Sequence, residues 1–64
     1  MTPAELKSIR QKLGLTQAEL AAILGYGGVW RISEFERGAR DIPRHVGMLM
    51  LFLEHDPDLL ALCK

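Results

Sequence analysis

The pattern Thr-x-x-Glu occurs twice near the start of the chain, and each copy precedes an apolar run that ends in glycine. The first copy spans residues 2–5 and precedes Gly14, and the second spans residues 16–19 and precedes Gly25. In such a capping box, threonine and glutamate side chains bind free backbone N–H groups of the first helical turn. Glycine ends a helix by adopting a left-handed conformation. The pattern therefore predicts two short helices, over about residues 3–13 and 17–24.

The rest of the chain also divides into helical segments. Three glycines among residues 25–28 disfavour a helix and predict a tight turn that supplies positive φ angles. A third helix is expected over about residues 28–37, ended by glycine, and a fourth over about residues 43–55. Asp56 and Pro57 stop the fourth helix and can open a short final one. With no alternating strand pattern, the sequence predicts an all-α fold of four helices and a short fifth.

A chain of 64 residues has little core, since it buries only about 60% of the surface that its unfolded form exposes. Its one cysteine, Cys63, excludes an internal disulfide and is expected to be a free thiol. His45, His55 and Cys63 lack the paired spacing of a structural zinc site. We therefore expect no metal or other cofactor, and stability that depends on helix packing and self-association.

No targeting or membrane-spanning segment is recognisable. The longest uninterrupted apolar run, residues 48–53, is six residues long, whereas about 20 are needed to span a bilayer. The first residues do not form a basic region followed by an apolar one. The sequence thus predicts a cytoplasmic protein without a membrane partner. Eight basic residues balance eight acidic ones, so net charge does not indicate nucleic acid as a partner.

An ordered string of residues carries the functional signal. It comprises residues 14–21 (GLTQAELA), 24–25 (LG), 32–33 (IS) and 35–38 (FERG). This string resembles the Cro/repressor-type helix-turn-helix family, also called lambda-repressor-like or the xenobiotic response element family, over residues 3 to about 53. The resemblance implies a compact lambda-repressor-like domain over residues 1–64. Its helix-turn-helix would cover about residues 17–37, and its dimerisation helices about residues 43–63.

The resemblance implies that helix 3 enters the major groove of DNA while helix 2 crosses the backbone. The candidates for reading base edges are Gly28, Val29, Trp30, Arg31, Ser33 and Glu34. Arg31 suits a bidentate contact to guanine or a phosphate contact. Trp30 suits a thymine methyl group, although an aromatic at this spacing is often a core residue. Glu34 is either an acceptor for cytosine or a solvated charge that repels wrong sequences.

A second set of residues suits phosphate groups: Thr16, Gln17, Arg37, Arg40 and Arg44. Thr16 and Gln17 stand at the start of helix 2, where free N–H groups and the helix dipole favour an anion. The resemblance implies that Gln17 contacts the DNA backbone. For each arginine, the alternative is an ordinary solvated surface residue.

Two details concern how helix 3 is held. Arg10 and Glu36 align with a family pair that forms a salt bridge from helix 1 to the end of helix 3, so we expect a structural role for them. The segment 26–31, which leads from Gly25 to Ile32, is one residue longer than the common family pattern. The base-reading positions therefore depend on where helix 3 begins.

Helix 4 is apolar on two faces. Val46, Leu49, Met50 and Leu53 form the predicted core stripe. The opposite face is apolar as well, so we expect it to be covered either by the terminal leucines 59, 60 and 62 or by a second subunit. We favour a symmetric homodimer, with Gly47 giving a partner helix room to approach. The predicted interface comprises Met48, Leu51, Phe52, His55, Leu59 and Leu62.

The main functional prediction is a sequence-specific DNA-binding regulator. It is a homodimeric repressor of the phage or mobile-element kind, reading an inverted repeat in double-stranded DNA with half-sites about 34 Å apart. One alternative is an antitoxin of a toxin-antitoxin pair, which the short chain disfavours because it leaves little for a toxin to bind. Another is a protein-interaction module without DNA contact. We expect neither an enzyme nor a small-molecule ligand, because no nucleophile-base set and no phosphate-binding loop is present.

Overall fold

The computed structural model describes residues 1–63, except for the side chain of Cys63. The predicted free thiol and Lys64 therefore lie outside the described part. The elements are α1 (Pro3–Lys12), α2 (Gln17–Ile23), α3 (Trp30–Arg37), α4 (Arg44–His55), a 3-10 turn (Pro57–Leu59) and α5 (Leu60–Cys63). Residues 1–63 contain no strand, so the predicted all-α fold is confirmed. None of their helices is long and apolar enough to cross a membrane.

Both predicted capping boxes are present. The Glu5 N–H donates to Thr2 Oγ1 at 3.1 Å, and the Thr2 N–H donates to Glu5 Oε1 at 2.9 Å. Thr16 and Glu19 repeat the arrangement at the same two distances. Each box satisfies backbone donors that the first turn of a helix leaves unpaired. The starts of α1 and α2 are therefore determined by side chains within three residues of one another.

The first capping box predicts a lowered pKa for Glu5. The Thr2 backbone N–H, and after it the Thr2 side chain, favours the ionised carboxylate and lowers the pKa of Glu5. The stabilisation is present above the pKa of the unfolded chain and is lost as pH falls through the lower folded value. An NMR titration should find a lower midpoint for Glu5 in the folded chain than in urea. Equal midpoints would contradict this expectation.

The first three helices end in the same way. Gly14, Gly25 and Gly38 have φ angles of +71°, +79° and +75°, a conformation that favours glycine. Behind Gly25, the Tyr26 N–H donates to the Ala21 carbonyl at 2.9 Å, the long bond of a Schellman motif. Gly27 and Gly28 have no positive φ, so the turn between α2 and α3 needs only one left-handed residue.

The core lies between α1, α3 and α4, with α2 packed on α3. Phe35 is its largest fully buried side chain. Val46, Met50 and Leu53 are buried on α4 as predicted, whereas Leu49 is only half-buried. The remaining members of the cluster are Leu6, Ile9, Leu15, Leu20, Ala21 and Ile32. This shared core sets the position of α3 against α1 and α2.

Candidate nucleic-acid interface

The contact between α2 and α3 sets the angle of the predicted recognition helix. Ala21 is 2% exposed, as expected for a small residue at a close crossing. Leu20 on α2 and Ile32 on α3 are fully buried as well. Rigid packing of this kind leaves one face of α3 outside the core, where it is free to meet a partner.

The predicted salt bridge between Arg10 and Glu36 is confirmed, and it is largely buried. Arg10 Nε lies 2.7 Å from Glu36 Oε2, with the two side chains only 11% and 5% exposed. Arg10 Nη2 donates to Glu36 Oε1 at 3.1 Å, and Arg10 Nη1 donates to the Leu15 carbonyl at 2.8 Å. This bidentate pair, with a third guanidinium donor on a backbone carbonyl, ties α1 to the last turn of α3.

Gln17 completes this cluster and was not expected there. Its Nε2 donates to Glu36 Oε1 at 3.1 Å, so the carboxylate of Glu36 receives donors from α1 and α2 together. Nineteen residues separate Gln17 from Glu36, and no spacing in the sequence relates them. An amide nitrogen carries two hydrogens, so Gln17 keeps one donor beyond the bond to Glu36.

The outer face at the start of α3 is exposed. Trp30 is 76% exposed, which excludes the core alternative for this residue. Val29 precedes it as the N-cap residue, without a side-chain cap bond, and is also exposed. Gly28 is exposed and Ser33 is half-buried. Helix α3 begins at Trp30, one or two residues later than predicted.

Arg31 lies over the ring of Tyr26, a residue that sequence reasoning had assigned only to the turn. The guanidinium carbon is 5.3 Å from the ring centroid. Tyr26 in turn packs edge-on against Phe35, with ring centroids 5.9 Å apart. Its place directly after Gly25 is a signal that was available, because that position of a Schellman motif often packs on the helix.

Glu34 lies between two arginines. Its Oε1 is 3.6 Å from Arg31 Nε and 3.5 Å from Arg40 Nε. The structure thus brings together three predicted DNA contacts, Arg31, Glu34 and Arg40, and Glu34 is not an isolated solvated charge. The three-residue spacing of Arg31 and Glu34 on a helix was the sequence signal for half of this arrangement.

The other predicted phosphate contacts lie at the surface. The Thr16 side chain is exposed and its oxygen accepts the cap bond of α2. Arg37 ends α3 and Arg44 begins α4, and both are exposed. Within residues 1–63, neither guanidinium group forms a hydrogen bond or an ion pair, so both are available to an anionic partner.

The second face of α4 stays uncovered. Met48, Leu51 and Phe52 are 49%, 53% and 58% exposed. Leu60 packs on the core, and the last turns leave these three residues open, so they do not fold over the face. The other predicted interface residues follow: His55 and Leu62 are exposed and Leu59 is half-buried.

The expected role of Gly47 is wrong. Gly47 is buried, and a Cβ placed there would lie 3.5 Å from Met1 Cβ. The chain's own N-terminus therefore occupies the space that was assigned to a partner helix. Nearby, Lys12 Nζ lies 3.2 Å from Glu54 Oε2 and joins α1 to α4 at the surface.

Five short helices, with α2 and α3 joined by a tight turn and α3 exposed on one face, are consistent with a helix-turn-helix domain. Residues 1–63 contain no group of three or more His, Cys, Asp or Glu residues that could hold a metal ion.

The model of one family, the MqsA antitoxin component of bacterial toxin-antitoxin systems, matches residues 1–64. The chain belongs to this family. No curated protein and no solved structure gives a match.

The family match changes the order of the functional alternatives. It supports the antitoxin alternative better than the free-standing repressor that was the main prediction. Chain length had disfavoured an antitoxin on the assumption that toxin binding needs a separate segment. An exposed helix face can serve that purpose without extra residues, so length was the wrong criterion.

Proposed function

We propose that the protein is a DNA-binding antitoxin. Its α2 and α3 act as a Cro-type helix-turn-helix over about residues 17–37, and a homodimer reads an inverted repeat and represses transcription. The observation that carries the proposal is the exposed start of α3, with Trp30 and Arg31 outside the core, on a helix anchored at its other end by the buried Arg10–Glu36 pair. The proposed role is binding, without catalysis or a cofactor.

The base contacts follow from the chemistry of the exposed face. Arg31 offers the planar fork that suits guanine, and Trp30 and Val29 offer apolar surface for thymine methyl groups. Ser33 is a hydroxyl donor half-buried on the same helix. Gly28 has no side chain to keep the DNA away from the start of α3.

The phosphate contacts would supply the part of the affinity that does not depend on sequence. Gln17 is held by Glu36 and has one N–H left for a phosphate oxygen. Thr16 stands beside it at the start of α2. We assign further phosphates to Arg37, Arg40 and Arg44, which follow one another from the end of α3 to the start of α4.

The dimer would form through residues 43–63, where α4 leaves a row of apolar side chains exposed. Two copies are needed because a single module of this kind buries only about 600–1,000 Å² on DNA. The family description, an antitoxin component of a toxin-antitoxin system, supports a toxin as a second partner. We propose the cytoplasm as the place where both proteins act.

Selection of duplexes from a random pool, followed by fluorescence anisotropy at several salt concentrations, tests the DNA-binding part. We expect an inverted repeat and an affinity that falls steeply with salt. Absence of salt-dependent binding to any duplex would overturn it and favour a protein-interaction module. Co-expression with the product of the neighbouring gene, scored by rescue of growth, tests the antitoxin part.

Replacing Arg31 by alanine is expected to weaken binding to the selected duplex by about 1–3 kcal/mol and to relax the preference at one base pair. Lys12→Ala is the matched control. This variant also removes one positive charge. Lys12 lies on the side of α1 opposite to Arg10, where it contacts Glu54. Equal losses for both variants in the anisotropy assay would show that Arg31 contributes only charge.

A further inference from the structure

Glu34 is an acidic residue on the proposed DNA-binding surface. One of its oxygens lies 3.6 Å from Arg31 Nε and 3.5 Å from Arg40 Nε. These separations are longer than the 2.7–2.9 Å of a charge-assisted hydrogen bond. By contrast, the closest contact of Arg10 with Glu36 is 2.7 Å. The contacts of Glu34 are therefore ion pairs without a short hydrogen bond, which leave the N–H donors of both arginines able to bind a phosphate or a base.

The burial of these pairs indicates that they contribute little to folding. The side chains of Arg31, Arg40 and Glu34 are 41%, 50% and 30% exposed. Pairs this exposed contribute about 0–1 kcal/mol to stability because water screens them. We therefore expect Glu34 to affect what Arg31 and Arg40 bind more than it affects the stability of the fold.

Arg31 is bounded on two sides. The Tyr26 ring lies against its guanidinium group, and Glu34 lies at its Nε edge. A bidentate contact to guanine needs the guanidinium group in one orientation. An arginine that is already held in this orientation loses less conformational entropy on binding. Glu34 also cancels one of the two positive charges, which lowers the attraction of this surface for phosphate groups of any sequence.

We propose that Glu34 is a specificity-determining residue: it positions Arg31 for a base and, as the shared counter-ion of Arg31 and Arg40, weakens binding to non-operator DNA. This inference rests on the proposed DNA-binding function. It assigns Glu34 a positioning role in place of the cytosine contact that was one of the two alternatives from the sequence.

The test compares Glu34→Gln with the wild type on the selected duplex and on a scrambled one. Loss of the carboxylate charge frees one cation, so affinity for the scrambled duplex should rise about eightfold at 0.1 M salt, with a salt slope steeper by about 0.9. Affinity for the selected duplex should rise less. The ratio of the two affinities should therefore fall by about fivefold, the equivalent of the lower end of one base contact.

Glu54→Gln is the matched control, because it removes the same charge from a glutamate on α4 that is ion-paired with Lys12 of α1. Both variants should keep the wild-type melting temperature and sedimentation mass. An affinity ratio that changes equally in the two variants would overturn the proposal, since net charge would then explain the effect.

The Arg31→Ala background separates positioning from charge. There, Glu34→Gln should leave the affinity ratio unchanged within about twofold, because the two substitutions act through one contact. A fivefold fall in that background would also overturn the proposal. If the wild type binds neither duplex at any salt concentration, the proposed DNA-binding function itself fails. Failure of the role of Glu34 alone would instead leave the wild type binding DNA, with the affinity ratios of the variants differing from those expected.

Discussion

Replacing Glu36 by glutamine is expected to destabilise the protein by about 3–5 kcal/mol, because it leaves a buried arginine charge without its partner. Glu36 accepts from Arg10 through both carboxylate oxygens, and from Gln17 as well. A neutral amide has one acceptor oxygen and cannot replace the charge. In a chain of this size, 3 kcal/mol corresponds to a fall of about 12–24 °C in melting temperature.

Thermal and urea denaturation followed by circular dichroism measure this effect. Glu54→Gln again serves as control, since its exposed pair with Lys12 should contribute about 0–1 kcal/mol. Similar losses in the two variants would show that the buried cluster has no special role. Because the cluster joins α1, α2 and α3, Glu36→Gln should also abolish the selective binding of DNA at temperatures where the wild type is folded.

The second large effect concerns the proposed dimer. Leu51→Glu places a charge in the apolar face of α4 at a position that is 53% exposed, so the monomer should still fold. Two linked half-sites bind about 10²–10⁴-fold more tightly than one, because the second contact is intramolecular. Loss of the dimer should therefore weaken binding to the inverted repeat at least about 100-fold. Sedimentation should then give the mass of one 7.2 kDa chain.

Gln11→Glu is the matched control for Leu51→Glu, because it adds the same side chain at an exposed polar position of α1. It should sediment as the wild type does. A wild type that is monomeric at the concentrations of DNA binding would contradict the dimer. A Leu51→Glu variant that stays dimeric but no longer neutralises a toxin would assign this face to the toxin.

Much of the fold could be predicted because helix boundaries depend on local chemistry. A capping box joins residues three apart, and a glycine with positive φ ends a helix without help from distant residues. Phe35 and the stripe of Val46, Met50 and Leu53 were also predictable, since a helix repeats its buried positions at a regular spacing. The resemblance supplied the pairing of Arg10 with Glu36.

The candidate site was predictable only in part. The exposure of Trp30 depends on how α3 is rotated against the core, and its sequence position allowed either outcome. The roles of Tyr26 and Glu34 depend on their contacts with Arg31. The Arg31 side chain lies over the Tyr26 ring and pairs with Glu34 one helical turn further along α3. The preference for an antitoxin over a free-standing repressor rests on the family match, and no residue in the site distinguishes the two functions.

The sequence by itself determined where α1 and α2 begin and where the first three helices end, because those signals act between neighbouring residues. Only the tertiary structure decided which side chains meet across the core. It brought Gln17 to Glu36 and placed Met1 over Gly47, where a partner helix had been expected. Lys12 likewise pairs with Glu54, 42 residues away. Such pairs depend on the rotation and crossing of packed helices, and these are set by the whole core rather than by local spacing.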